Sequence, residues 1–486
     1  MTRPEAPSNP PLDYASSPSS ATAPAKLGWR FPRVFWVANT AELFERAAFY
    51  AMFISLDLYL SRKVGFSDVA AHSIAGPFSF FLYFLPPFMG AAADKIGFRR
   101  ALMLAFTLLA CGYALLGAFQ SAAPAIIALG LIAVGGAMVK PAISGTAAKA
   151  SDAEHRARAF SIFYLMVNVG SFTGKTIAAP LRTGFRMPGF GELKLGLEYI
   201  NFYAAAMCVV ALIVIALFYR NLGASGSGRD LREVLHGLLR VVRNGRFMCL
   251  ILIVAGFWLI QGQLYASMPK YILRLLGESA KPEWLANINP LVVVLLVTPI
   301  THLVRRFKPE NSIAIAMSII PFAALCVSLS DAVQSVAGNS VSIFGLGSLH
   351  PVTLMVIIGI GMIGLAECFL SPKFMEFASK QAPEGQVAQY MGFQNLSASI
   401  AWLAGFLVSG FLLEWYCPDP EKLPAPVKAQ WESAIATGGR LPDAYAHAHY
   451  IWYVFFGIGL MALSGLLLFK YVTGRIDRRR ATAALP

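Results

Sequence analysis

The chain has 486 residues, of which 57% are hydrophobic and only 14% charged, with a formal net charge of +14. Soluble chains carry roughly 25% charged residues, so this composition excludes an ordinary soluble enzyme and a disordered protein alike. The apolar stretches are continuous and do not alternate with polar residues. That excludes a transmembrane β-barrel and leaves helices of ~20 residues that cross a bilayer.

Residues 1–28 are rich in Pro, Ser and Ala and have no basic start followed by an apolar run. They read as a disordered tail, not a cleaved signal. Apolar windows then recur at 34–60, 70–92, 101–119, 123–146, 157–181, 197–219, 247–274, 284–304, 311–330, 351–379, 387–414 and 449–473. Twelve spans put both termini on one side. The face that includes the termini collects about twice as many Lys and Arg as the other, so the positive-inside rule makes it cytoplasmic. Charge placement at a membrane surface accounts for the basic balance without nucleic acid.

The loop 220–246 divides the spans into two sets of six. The expected domains are a bundle over 29–219, a cytoplasmic linker over 220–246, a second bundle over 247–473 and a cytoplasmic tail over 474–486. The linker opens with Gly223-Ala224-Ser225-Gly226-Ser227-Gly228, a flexible stretch. Leu231, Val234, Leu235, Leu238, Leu239 and Val242 then fall at helical spacing among Arg232, Arg240 and Arg243. That pattern predicts a basic amphipathic helix on the cytoplasmic face.

The fold class expected is an all-α membrane protein, two six-helix bundles in the layout of major facilitator superfamily transporters. The six cysteines show no disulfide or metal spacing, and the seven histidines lie in loops or at span ends without a ligand partner. No metal and no cofactor is expected. No nucleophile sits with a base and no Walker loop appears, so neither an enzyme nor direct ATP drive is expected. A sensing receptor would need a soluble signalling domain.

Residues Gly90-Ala91-Ala92-Ala93-Asp94-Lys95-Ile96-Gly97-Phe98-Arg99-Arg100 resemble the superfamily's signature loop, G-x-x-x-D-R/K-x-G-x-R/K-R/K. An Asp beside basic residues at a helix end predicts an ion-pair latch. It makes Gly90, Asp94, Lys95, Gly97, Arg99 and Arg100 gating candidates.

Span one carries Glu42-Leu43-Phe44-Glu45-Arg46-Ala47-Ala48-Phe49-Tyr50, which resembles the E-x-x-E-R-F-x-Y-Y motif of the proton-dependent oligopeptide transporter family. Further matches keep that family's order. They are Tyr83, Pro86 and Gly90 to Asp94, then Gly135 to Pro141 with Ser144, then Phe163-Tyr164, Asn168 and Gly170-Ser171. Phe257-Trp258, Gln261 and Gln263, then Trp284 and Ile288-Asn289-Pro290, and Glu367, Leu370, Ser371 and Pro372 complete the set.

Ionisable groups inside a membrane are costly, and each is a functional candidate. Glu42 and Arg46 are four apart in the favourable order for a helical ion pair, and Glu45 shares that face. Two carboxylates and one guanidinium leave a surplus negative charge that a proton would neutralise. Glu42, Glu45 and Arg46 are therefore the expected proton-coupling group.

The resemblance implies that Lys140 and Glu367, from opposite halves, flank a central cavity and pair across it. It also implies that Tyr50, Phe53, Tyr83, Asn168, Trp258, Gln261 and Asn289 meet the substrate. For Lys175, in the outer third of span five, two readings stand open: it snorkels outward, or it adds a cation to the cavity.

The sequence departs from the family at Phe53, where peptide-transporting members carry an Arg, and at Gly262, where they carry a Glu. Ala142 replaces the usual Asn. The expected activity is proton-coupled uptake of di- or tripeptides, or of peptide-like molecules, by alternating access. The alternative keeps fold and coupling with a non-peptide cargo, a small organic anion or modified peptide, or export. The expected partners are that cargo, protons and the lipid of the plasma (inner) membrane. A monomer is expected.

Overall fold

The computed structural model describes residues 31–152, 155–187, 191–193, 195–220, 231–342, 347–382 and 387–483. The expected tail 1–28 and the flexible stretch 223–228 lie outside the described residues.

The first half contains α1 (Arg33–Arg62), α2 (Asp68–Phe84), α3 (Pro86–Ile96), α4 (Phe98–Ala118), α5 (Ala122–Lys149) and α6 (Arg156–Thr183). A short antiparallel hairpin follows, β1 (Phe185–Met187) and β2 (Gly191–Leu193), with Arg186 opposite Glu192. Then comes α7 (Leu197–Phe218). The linker forms α8 (Leu231–Arg243).

The second half contains α9 (Gly245–Gln261), α10 (Met268–Leu276), α11 (Pro282–Leu285), α12 (Ile288–Leu303), α13 (Pro309–Ser328) and α14 (Ser330–Ala337). A second hairpin pairs β3 (Val341–Ser342) with β4 (Ser348–Leu349). The chain ends with α15 (Pro351–Gln381), α16 (Val387–Phe393), α17 (Leu396–Tyr416), α18 (Ala425–Thr437) and α19 (Tyr450–Ala483). The last helix thus runs on through the basic stretch after 473.

Among the described residues, nine helical stretches are long and apolar enough to cross a membrane, and α2 with α3 makes a tenth, bent by 50°. The bend falls at Pro86, which has no N–H to continue the ladder. Helices α1 and α6, of 30 and 28 residues, complete twelve spans. Both are more polar than the rest because they carry charges within the bundle. Span seven is also broken: α9 stops at Gln261, and a 3-10 turn over Gly262–Leu264 leads towards α10. Broken helices are where transporter folds place binding groups.

In the first bundle α1 packs against α6 and α7, and α4 against α5 and α7. In the second, α13 packs against α15 and α19, and α9 against α17 and α19. The bundles meet most extensively where α2 lies along α17. Small residues allow the α1–α6 approach. A Cβ on Gly170 would stand 2.6 Å from the Leu43 carbonyl, and one on Gly174 would run into the Ala47 carbonyl. Gly174→Ala is therefore expected to push α6 off α1 and lower stability by about 1–3 kcal/mol, the usual range for overpacking. A melting temperature equal to that of the parent protein would contradict this.

Candidate functional site

A cavity of about 280 Å³ lies between the bundles. Its wall includes Tyr50 of α1, Tyr83 of α2, Lys140 of α5, Asn168 and Lys175 of α6, Trp258 and Gln261 of α9, Asn289 of α12 and Glu367 of α15. All of these are sequence-named candidates. The wall also includes Tyr164, Tyr265, Gln394, Asn395 and Trp402, which were not among the expected site residues. Nothing in a wholly apolar helix marks which aromatic or amide faces inward, so only Tyr164 had any signal, as part of the span-five motif.

Beside the cavity stands the charged cluster of α1. Arg46 reaches Glu45 through two hydrogen bonds, one of them from Nη2 to Oε1 at 2.6 Å and the other from Nε to Oε2. Glu42 is the looser partner, with Oε1 3.6 Å from Arg46 Nε. Neither oxygen of the buried Glu42 carboxylate has a hydrogen-bond partner among the described residues. The guanidinium also lies over the rings of Phe49 and Tyr50, at 5.1 and 5.8 Å from their centroids. Tyr50 thus connects the cluster to the cavity wall.

Several expectations need correction. Lys140 and Glu367 both line the cavity but form no ion pair within 4 Å. Lys140 lies in the field of the Glu42, Glu45 and Arg46 cluster. Glu367 instead accepts a hydrogen bond from Asn289 Nδ2 at 3.4 Å, and Lys175 is the cation that acts on it.

Phe53 does not line the cavity. It is 1% exposed and stacks on Phe49 and Trp402 at centroid distances of 4.9 and 5.2 Å, with Tyr265 at 5.0 Å. An apolar ring between bundles is most stable against other rings, so it forms a plug behind Tyr265 and Trp402. Lys175 does not snorkel outward. It is fully buried, and its Nζ donates to the Ala286 carbonyl at 3.1 Å.

The signature loop bends at Gly97, whose φ of +87° favours glycine. Gly90 meets Pro141 of α5 closely, and Arg99 donates to the Ala216 carbonyl at 2.7 Å. Lys95 and Arg100 are exposed at the helix ends. Asp94 has no ion-pair partner among the described residues.

The opposite end of the molecule is closed. Ser67 caps α2 by accepting from Ala70 N at 3.1 Å, which places Asp68 in the first turn. Lys270 and Arg274, one turn apart on α10, both reach that carboxylate, each at 2.8 Å. Lys270 also donates to Ser61 at 2.6 Å. Nearby, Arg182 of α6 pairs with Glu283 of α11 at 2.6 Å, and Arg62 with Glu278 at 2.7 Å. Every inter-bundle ion pair among the described residues lies at this end. These pairs had no sequence motif; their partners are far apart in the chain.

His72 stands in the second turn of α2, at a span end. It is fully buried in α2. Its Nδ1 lies 2.7 Å from the Asp68 carbonyl, and its Nε2 lies 3.3 Å from the Ala266 carbonyl and 3.4 Å from Asp57 Oδ2. Asp57, also buried, has no hydrogen-bond partner at either oxygen.

Twelve spans in two bundles, sealed at one end around a mid-membrane cavity, define a secondary transporter and not an enzyme. A profile of the Major Facilitator Superfamily matches residues 40–348. The chain belongs to that superfamily.

Among curated proteins it is similar to the multidrug resistance protein MdtH of Salmonella arizonae, 23% identical over 368 residues, covering 75% of this chain and 82% of the relative. The MdtH of Photorhabdus laumondii is 21% identical over 367 residues, covering 75% and 83%. Among solved structures, a peptide transporter POT in complex with sulfate superposes with a TM-score of 0.67 at 19% identity, covering 92% of this chain and 95% of that one. Tetrameric PepTSo2 gives 0.67 at 18% identity, covering 92% and 99%. The fold is therefore shared with solved peptide transporters.

Proposed function

We propose that this protein is a proton-coupled symporter of the proton-dependent oligopeptide transporter type, taking up peptides or peptide-like small molecules by alternating access. The observation that carries the reading is the Glu42 carboxylate. It is buried, without a hydrogen bond, and one turn from a guanidinium that Glu45 already holds. A carboxylate in that position is poised to take up and release a proton, while Glu45 keeps Arg46 in place. Tyr50 links that event to the cavity.

The geometry supports an alternating-access cycle. The termini are cytoplasmic by the positive-inside rule, so the Asp68, Lys270 and Arg274 lock closes the outer end and this conformation serves release. Parting of the lock admits cargo and proton from outside. Re-formation of the lock, with α5 and α15 separating, delivers both inward. Protein in liposomes is expected to accumulate cargo when the outside is acidic, and to stop when an ionophore collapses the gradient. Uptake indifferent to the gradient would exclude the coupling.

A second reading, export of drug-like compounds, is favoured by the sequence likeness to MdtH. Inside-out vesicles separate the two. Symport predicts cargo moving down the proton gradient with the proton, and export predicts movement against it.

A further inference from the structure

The chemistry of the cavity wall narrows the cargo, on the reading that this cavity is the cargo site. Its charged side chains are Lys140, Lys175 and Glu367, an excess of one positive charge. Lys175 is the unusual member because no part of it is exposed. An ammonium carries three donors, and among the described residues one is matched, to the Ala286 carbonyl. No carboxylate lies within 4 Å of Nζ among the described residues. The rings of Tyr50 and Tyr265 stand 5.5 and 6.0 Å away. They contribute an attraction through their faces but no counter-charge.

Burying a cation without a partner is strongly unfavourable. A buried ammonium with no close carboxylate is a place that something anionic can fill during the cycle. Glu367 acts on it only from beyond 4 Å, and the hydrogen bond that Glu367 accepts comes from Asn289. The rest of the lining is mostly aromatic and amide, with Ser171, Ser371, Ser397 and a few aliphatic residues. The volume of about 280 Å³ suits a small cargo, of about amino-acid or dipeptide size.

We infer that Lys175 anchors the cargo's anionic group, and that the cargo is a small monocarboxylate with an aromatic or apolar body. The carboxylate pairs with Nζ, and the body lies among Tyr50, Tyr265 and Trp402. Because Lys175 is on α6 and its carbonyl partner Ala286 follows α11, the anion binds at the seam between the bundles.

The test measures thermal unfolding of the purified full chain with three probes: the dipeptide Ala-Phe, its C-terminal amide, and phenylacetate. The acids are expected to stabilise the protein by mass action and the amide is not. Lys175→Gln is expected to weaken acid binding about 10- to 100-fold, the range for losing a charge-assisted hydrogen bond, and Lys175→Arg to retain part of it. Lys175→Met, which removes the unpaired cation, is expected to raise the melting temperature without ligand. That result separates loss of binding from loss of folding.

Equal binding of acid and amide, unchanged acid affinity in Lys175→Gln, or no shift with either acid at millimolar concentration overturns the inference. Stabilisation by phenylacetate alone supports the anchor while rejecting a peptide cargo. Lys175-dependent binding with uptake indifferent to a pH gradient supports the anchor while rejecting proton coupling.

Discussion

Replacing Asp68 by Asn is expected to unlock the closed end. The carboxylate is the shared partner of Lys270 and Arg274, and all three side chains are nearly inaccessible. Removing one member of a buried ion-paired group costs about 3–5 kcal/mol, because the remaining charges lose compensation. Asp419, 3.7 Å from Arg274, and Asp57, which acts on Lys270 from farther away, would remain as counter-charges. A transporter can relieve that cost by opening, so the closed conformation should lose population about 10²- to 10³-fold relative to the open one.

Spin labels at Lys63 and Lys281, one in each bundle at this end, should report a longer distance in lipid nanodiscs. An unchanged distance distribution together with an unchanged melting temperature would rule the lock out. Adding Lys270→Met to Asp68→Asn should recover part of the loss, because the two sites share one interaction.

The second large effect is expected at Glu42. One proton moved per cargo molecule supports about tenfold accumulation per unit of pH gradient, since one unit is worth about 1.4 kcal/mol. Glu42→Gln keeps the shape and removes the titrating group. It should bring accumulation down to equilibrium while leaving exchange of labelled for unlabelled cargo intact. Glu45→Gln should behave differently, because Glu45 holds Arg46 through two bonds. Its loss leaves a buried guanidinium with one loose partner and should lower stability by about 3–5 kcal/mol. Persistent gradient-driven accumulation by Glu42→Gln would move the proton site elsewhere.

The contrast between these two carboxylates shows how far sequence carried the argument. The spacing of Glu42, Glu45 and Arg46 placed all three on one helical face and left a surplus charge. It could not say which carboxylate the guanidinium would take. The rotamer of Arg46 decides that, and it depends on the rings of Phe49 and Tyr50 beneath it. Lys175 gives the same lesson. Snorkelling and cavity lining are equally consistent with its position along α6. The packing of α6 against α11 and α12 seals the outward route and turns the ammonium inward. Phe53 is the converse case, where a motif position implied contact with cargo and the surrounding rings instead absorbed it into a plug. Lys140 and Glu367 lie on the same cavity, as the resemblance implied, yet each acts on a different charge in this conformation.

Sequence alone determined the solvent, the number of spans, their division into two halves and the few charges worth attention. Those are local properties: hydropathy is summed along a window, and scarcity of charge makes each buried one visible. Tertiary structure alone decided the lock of Asp68 with Lys270 and Arg274, the burial of His72 beside Asp57, the plug at Phe53 and the inward turn of Lys175. A helix that is apolar all round has no periodicity to say which face meets its neighbours. The direction of each side chain is therefore set only when the bundles pack, between residues as far apart in the chain as Asp68 and Lys270.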